Sequence, residues 1–313
     1  MPTLAACLIL LLSVTAMPLR AAEAPVPVQK VILDTDIGDD IDDAYALALV
    51  TSLPEANIIG VTTTFRATDK RAELAAKLLS VMGRPDIPVY PGRRTGNGIG
   101  RQYEWASGFR SPALKNDAAA DFMAREIARA PGEITLIGIG ALTNIGDLLK
   151  NHPEARGAIR RIVIMGGSVY TGYNNQAPPT PEWNIRCDPA AARTVFTSGV
   201  PLTMAGLEVT SMMQLDGERQ KRIFATGVPT TDALAALTNL WGGGTPTLYD
   251  PVAAAYAFGH SFCESEQRCV EVGDDGSTRI VDGAPNVTVL VRPNKNAFLD
   301  WYVSAVKQRS TRP

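Results

Sequence analysis

Ten consecutive residues, Asp34-Thr35-Asp36-Ile37-Gly38-Asp39-Asp40-Ile41-Asp42-Asp43, carry six aspartates directly after the apolar run Val31-Ile32-Leu33. Carboxylates this crowded repel one another unless a cation or a helix N-terminus absorbs the charge. Capping of a helix by Asp40 or Asp42 accounts for one or two of the six; a hard divalent cation with oxygen ligands accounts for the set. The chain has two histidines, His152 and His260, neither in a ligand-like spacing, and no zinc-type cysteine pairs, so a soft or imidazole-bound metal fits poorly. Two known chemistries start from loops of this kind. An EF-hand needs Gly sixth and Glu twelfth; counting from Asp34, those positions are Asp39 and Tyr45. A haloacid dehalogenase-type phosphatase also runs an apolar strand into D-x-D. It needs a later acidic loop for magnesium, and the corresponding strand here ends Met165-Gly166-Gly167-Ser168, with no acid.

The elements around this loop alternate. Strands are expected at Val31 to Leu33, Asn57 to Thr64, Ile134 to Ile139, Ile162 to Met165, Leu202 to Ala205 and Asn286 to Val291. Helices are expected at Asp42 to Leu53, Lys70 to Met82, Asp117 to Ala130, Leu142 to Leu149, Pro189 to Thr197, across 216–259, and at Asn296 to Lys307. A hairpin fits Arg268 to Val272 and Arg279 to Val281, turning at Asp274-Asp275-Gly276. Strand and helix in alternation predict an α/β fold, a single domain with a mainly parallel central sheet flanked by helices. Two long segments interrupt the pattern, Gly92 to Pro112 and Gly167 to Cys187. Long irregular loops after strands are usually functional, and in open parallel sheets ligands bind beyond the strand carboxyl ends.

Composition narrows the partners. Thirty Lys plus Arg stand against 32 Asp plus Glu in 313 residues, a formal charge of −2, so no basic excess draws the chain to nucleic acid or anionic lipid. Residues Leu4 to Val14 are apolar over a length that suits a signal peptide and is too short to span a bilayer. Residues 1–24 are therefore expected to be removed, with cleavage after Ala16, Ala21, Ala22 or Ala24, leaving one domain over 25–313 in a periplasmic or secreted protein with no membrane partner. After cleavage three cysteines remain; Cys263 and Cys269 flank a short polar segment and are expected either to pair in an oxidising compartment or to stay free, with Cys187 left over.

The chain resembles the nucleoside hydrolase family of the inosine–uridine-preferring type over nearly all of its expected mature length. The resemblance rests on Asp34 to Leu47 (DTDIGDDIDDAYAL), Gly60 to Thr63 (GVTT), Gly140 to Ile145 (GALTNI) and Met165-Gly166-Gly167. It continues in Glu182-Trp183-Asn184 followed by Asp188-Pro189, and in Asp250-Pro251. Each piece is short, and their order and spacing carry the match. The resemblance implies a single α/β domain, assembled as a homo-oligomer (dimer or tetramer), that binds Ca2+ and takes a small-molecule nucleoside. It assigns the cation to Asp36, Asp43 and Asp250 with the main-chain carbonyl of Ile139, while Asp40 is an alternative to Asp43. It makes Asp36 the general base in N-glycosidic hydrolysis, acting on a water whose pKa the cation lowers. Met165, Glu182, Trp183, Asn184 and one of Asn174 or Asn175 match substrate-binding positions, and Asp42 is a candidate to reach a ribose hydroxyl or to cap its helix.

Several positions depart from the family pattern. The acidic loop is two residues longer than the common form, with Ile37 in place of a proline. After GVTT the family often has Gly-Asn, where this chain has Arg66-Ala67, so a ribose-contacting Asn is missing unless a neighbour such as Thr68 substitutes. Before Asp250 a His is common, and here it is Tyr249, which could donate a hydrogen bond to the leaving base but is a weaker acid at neutral pH. Glu208 stands where Asp is common. Base selectivity is expected from the 92–112 loop (Arg93, Arg94, Asn97, Arg101, Tyr103, Trp105) and from Tyr170, Tyr173 and Trp183, whose rings either stack a base or pack the loops. Two rivals to the nucleoside hydrolase reading are an exported nucleoside- or ribose-binding protein without turnover and the phosphatase above.

Overall fold

The computed structural model describes residues 27–308. The leader expected at 1–24 lies outside the described residues. Among the described residues ten strands occur: β1 (Gln29–Thr35), β2 (Ala56–Thr63), β3 (Val89–Pro91), β4 (Thr135–Gly138), β5 (Arg161–Met165), β6 (Leu202–Ala205), β7 (Glu264–Arg268), β8 (Val270–Val272), β9 (Thr278–Ile280) and β10 (Val287–Val291). Eleven α-helices connect them: α1 (Asp42–Ser52), α2 (Thr68–Val81), α3 (Ala119–Arg129), α4 (Thr143–Asn151), α5 (Trp183–Cys187), α6 (Pro189–Phe196), α7 (Leu207–Thr210), α8 (Gly217–Phe224), α9 (Pro229–Trp241), α10 (Tyr249–Ala257) and α11 (Lys295–Gln308). No helix among the described residues is long and apolar enough to cross a membrane.

Eight strands form one sheet in the order β3-β2-β1-β4-β5-β6-β10-β7, parallel except where β7 runs antiparallel to β10. The chain winds outward in one direction from β1 to β3 and in the other from β4 to β6. The reversal between β1 and β4 opens a crevice beyond their carboxyl ends, the position where doubly wound sheets take ligands. This is the expected single α/β domain with a mainly parallel sheet.

Helices cover both faces, so the central strands are apolar on both sides. In β1, Val31 and Leu33 point into the layer built by α1, α2, α9, α10 and α11, while Ile32 points into the layer of α3, α4 and α6. Helix α1 is buried around nearly its whole circumference, from Asp42 to Thr51. Its backbone and side chains are tied in by Tyr302, whose hydroxyl donates to the Tyr45 carbonyl (2.9 Å), and by the Tyr45–Thr238 hydroxyl pair (3.0 Å).

Two strands went beyond the sequence expectation. β3 has three residues, and β7 (ESEQR) is a polar edge strand whose exposed side chains give no apolar alternation. That edge strand also settles the cysteines. Cys263 and Cys269 lie at opposite ends of five extended residues, so their Cα atoms are about 20 Å apart at a strand rise of about 3.3 Å per residue. A disulfide needs about 4.4–6.8 Å. The disulfide alternative is therefore corrected: Cys187, Cys263 and Cys269 are all free thiols, and burial pushes Cys263 up to about 12. The hairpin is present, as β8 paired with β9.

Candidate active site

The acidic loop leaves β1 at its carboxyl end and feeds directly into α1. Asp34 closes the strand under the site, its Oδ1 accepting from Thr62 Oγ1 (2.6 Å) and Asn144 Nδ2 (2.7 Å). The first turn of α1 supplies Asp42 and Asp43, and the first turn of α10 supplies Tyr249 and Asp250. Both helix N-termini converge here, and their partial positive charge favours carboxylates. Asp42 Oδ2 accepts from the Asp250 backbone N–H (3.3 Å), joining the two helix starts, and Thr35 Oγ1 donates to Asp43 Oδ1 (2.5 Å).

Asp42, Asp43 and Asp250 each offer a carboxylate oxygen within 4.8 Å of the others, and all three are buried. Burial first, and the neighbouring aspartates second, hold all three well above the usual carboxylate range. Asp36 is raised to about 7, chiefly by burial, against the lowering effect of the Arg71 guanidinium. Clustered buried carboxylates with, among the described residues, only the Arg71 guanidinium buried against them are the donor set a hard divalent ion takes, and the residues fit such an ion. The geometry separates Asp40 from Asp43. Asp43 is in the buried trio, whereas Asp40 is exposed and its Oδ1 accepts from the Ile41 N–H (2.6 Å).

The trio opens into a cavity of about 320 Å³. Its lining brings together Asp36, Asp40, Asp42, Asp43, Ile139, Met165, Glu182, Trp183, Asn184, Tyr249 and Asp250 from the sequence expectation, and adds Asp39 and Tyr173. Asn174 and Asn175 do not line it. Both adopt left-handed backbone (φ 58° and 56°), and the Asn175 N–H donates to Ser211 Oγ (3.2 Å) instead.

On the far wall, Glu182 is the cap of α5. Its Oε1 accepts from the Asn184 N–H (2.9 Å), and its Oε2 accepts from the Ile185 N–H (3.1 Å) and the Gly167 N–H (3.0 Å). The carboxylate thus pins the Met165-Gly166-Gly167 turn to the start of α5. Asn184 Nδ2 donates to the Met165 carbonyl (3.1 Å), which fixes the amide against the end of β5. Tyr173 Oη accepts from the Trp183 N–H (3.0 Å), and its ring meets that of Tyr249 edge-on (centroids 6.4 Å apart). Burial pushes the Tyr249 hydroxyl up to about 12, so it keeps its proton at neutral pH and can donate a hydrogen bond.

The 92–112 loop packs around the acidic loop. None of its residues lines the cavity; Gln102, fully buried, donates to the Asp40 carbonyl (2.6 Å), and the Gly100 N–H donates to Asp39 Oδ1 (2.7 Å). Tyr103 donates to Glu73 (2.7 Å), and the Trp105 ring lies under Lys77. The loop buttresses the acidic loop from behind, and its rings pack against α2.

Arg71 was not singled out by the sequence. Its side chain is fully buried beneath the acidic loop, where it donates to the carbonyls of Asp36, Ile37 (3.0 Å) and Phe65 (2.8 Å) and pairs with Asp39 (2.7 Å). A helical K/R pattern on α2 reads as solvent-facing, and only tertiary burial turns one member inward. Gly140, which entered the sequence reading only as the start of GALTNI, carries a steric constraint of its own. A Cβ there would lie 2.8 Å from both the backbone nitrogen and Oδ1 of Asp36 and 2.8 Å from Thr64 Cγ2. Gly140→Ala is expected to displace the Asp36 carboxylate and lower kcat/KM by about 10²-fold, because small misplacements of a reacting group cost that much. Steady-state kinetics on the purified variant, with thermal unfolding to confirm folding, checks this; wild-type kinetics would contradict it.

The domain is thus a doubly wound α/β scaffold with an acidic, oxygen-lined cavity beyond the ends of β1, β4 and β5 that could hold a hard cation. The family model for inosine-uridine preferring nucleoside hydrolase matches residues 31–300, and the chain belongs to that family. The pyrimidine-specific ribonucleoside hydrolase RihA of Citrobacter koseri is 32% identical over 302 residues, covering 86% of this chain and 95% of that protein. Among solved structures, a plant nucleoside hydrolase, the PpNRh1 enzyme, superposes with a TM-score of 0.78 at 27% identity, covering 92% of this chain and 100% of that one. A purine-preferring ribonucleoside hydrolase from Gardnerella vaginalis has a TM-score of 0.78 at 25% identity, covering 90% and 99%. The protein is accordingly a ribonucleoside hydrolase, an N-glycosidase, and the phosphatase alternative is overturned by the family match.

Proposed function

We propose that the enzyme is exported and hydrolyses the N-glycosidic bond of ribonucleosides with Ca2+ as its cofactor. One water is consumed, the bond from C1′ to the base nitrogen breaks, and free base and ribose leave. The observation that carries this reading is the buried Asp42–Asp43–Asp250 trio opening into the same cavity as Asp36. Asp36, Asp43 and Asp250, with Asp42 beside them and the Ile139 carbonyl, would hold the ion. When bound, Ca2+ supplies positive charge that orients the ribose diol and lowers the pKa of a nearby water.

The chain's own residues do the rest. Asp36 accepts the proton of the attacking water as general base. Glu182 and Asn184, both held rigid by the backbone bonds above, present polar groups to the sugar, with Met165 beneath. Tyr173 and Trp183 wall the base side, and Tyr249 donates a hydrogen bond to the leaving base.

The test is ribose release by the mature protein from inosine, uridine, adenosine, guanosine and cytidine, with calcium and after exhaustive chelation. Turnover with calcium, lost on chelation and restored by re-addition, is the expected result. Ligand and calcium uptake without free ribose would instead make the protein a binder.

A further inference from the structure

Five arginines stand on the 92–112 loop, the turn after β2 and α5. Arg93, Arg94 and Arg101 are neutralised by Asp147, Asp69 and Glu104. Arg66 and Arg186 are exposed and, among the described residues, form no ion pair. In a chain with more acids than bases, guanidinium groups left unpaired beside an acidic cavity call for a reason. Each lies instead over an aromatic face: Arg66 over Phe65 (4.7 Å from the centroid) and Arg186 over Trp183 (5.0 Å). Those two rings meet edge to face, 5.9 Å between centroids. Trp183 lines the cavity and is 39% exposed, which places the aromatic pair and both guanidinium groups at its mouth.

Arg66 is held in place. Phe65 and Arg66 are consecutive non-glycine residues in left-handed backbone (φ 66° and 52°), a costly conformation that persists only where surroundings enforce it. Arg71 Nε holds the Phe65 carbonyl and Thr95 Oγ1 accepts from the Arg66 N–H (2.7 Å). The Arg66 side chain then runs across Gly96 and Gly98, where a Cβ would come within 3.4 Å and 3.2 Å of it. Strain of this kind concentrates at ligand sites. A guanidinium stacked on a ring keeps its outward N–H groups available to a planar or tetrahedral oxyanion.

We propose that Arg66 and Arg186 form an anion-accepting rim, and that the favoured substrates are N-ribosides bearing a negative charge on the base or at the 5′ carbon. The rim rests on the N-riboside reading of the site. It separates the two signs of charge: the aspartates on the floor take the cation and the sugar, and the arginines at the mouth take the anionic substituent away from that floor.

Ribose release from uridine, orotidine (a carboxylate on the base) and uridine 5′-monophosphate, by the full calcium-loaded protein, tests it. Expected is a kcat/KM for at least one anionic riboside about tenfold or more above uridine, the scale of a charge-assisted contact. Which of the two shows the excess tells where the charge sits. Arg66→Gln with Arg186→Gln should remove that excess and leave uridine turnover within about twofold, because uridine lacks the group they hold. Rising salt should weaken the anionic substrates alone. Uridine cleaved as well as both anions, or an excess that survives the double substitution, overturns the rim while leaving the hydrolase intact. If calcium-loaded protein cleaves none of the three, the hydrolysis reading fails, and calorimetric binding decides the rim. Tighter uptake of an anionic riboside, lost in the double variant, keeps it; equal uptake overturns it.

Discussion

Asp36→Asn is expected to reduce ribose release by at least about 10²-fold, and up to about 10⁴-fold, the range a positioned general base contributes. The substitution preserves shape and removes the capacity to take a proton. Asp36 is buried and raised to about 7 by that burial, and its nearest charged neighbours include Asp39 and Glu182 as well as Arg71. A neutral isostere relieves repulsion there, so the variant should unfold no earlier than wild type in chelator. This separates lost chemistry from lost structure. A loss due only to weaker cation binding would be recovered at saturating calcium, whereas loss of the base would not. Wild-type turnover by Asp36→Asn in calcium-replete buffer would remove Asp36 from the role of base.

The residues that are legible in the sequence are those whose function is local. Six aspartates adjoining one apolar strand announce a charged site because their crowding is visible without any fold. The strands β1, β2, β4, β5 and β6 are legible because burial on both faces demands short unbroken apolar runs. Helix α1 is legible in position, yet its burial on all sides erases the amphipathic stripe that periodicity would detect. Strand β7 is hidden for the opposite reason, since an exposed polar edge has no reason to alternate. Asp250 sits over 200 residues from the acidic loop, and only the family pattern linked them; α1 packing on α10 brings them together. The resemblance pointed to one of Asn174 or Asn175; both have left-handed backbone, and neither is among the residues that line the cavity.

What remained illegible is what keeps so much negative charge folded. Asp36, Asp42, Asp43 and Asp250 are buried together, and burial alone pushes each upward, a direction that opposes holding them all as carboxylates. Among the described residues, one cationic side chain, Arg71, is fully buried against them. Arg71 lowers both Asp36 and Asp43, and it does so from below the loop, where it cannot compete with a bound ion for the carboxylate oxygens. Its other role is geometric. Three of its partners are main-chain carbonyls, two in the acidic loop and one at Phe65 in the strained segment after β2, so one side chain sets the relative position of both.

Arg71→Met is therefore expected to destabilise the protein by about 3–5 kcal/mol, the cost of breaking a buried charged contact and leaving its partners unpaired. At roughly 2–4 °C per kcal/mol for a domain of this size, the thermal midpoint should fall by about 10 °C in chelator. Calcium should recover part of the loss, because an ion that binds only the folded state adds stability by mass action. Arg71→Lys keeps the charge but has no planar fork with which to span Asp39 and the three carbonyls, so it should fall between wild type and Arg71→Met. The ordering discriminates charge from geometry. If the lysine variant matches wild type, the positive charge alone suffices; if it matches the methionine variant, the carbonyl clamp dominates. A methionine variant with the wild-type midpoint in chelator would mean that the loop holds its aspartates without Arg71.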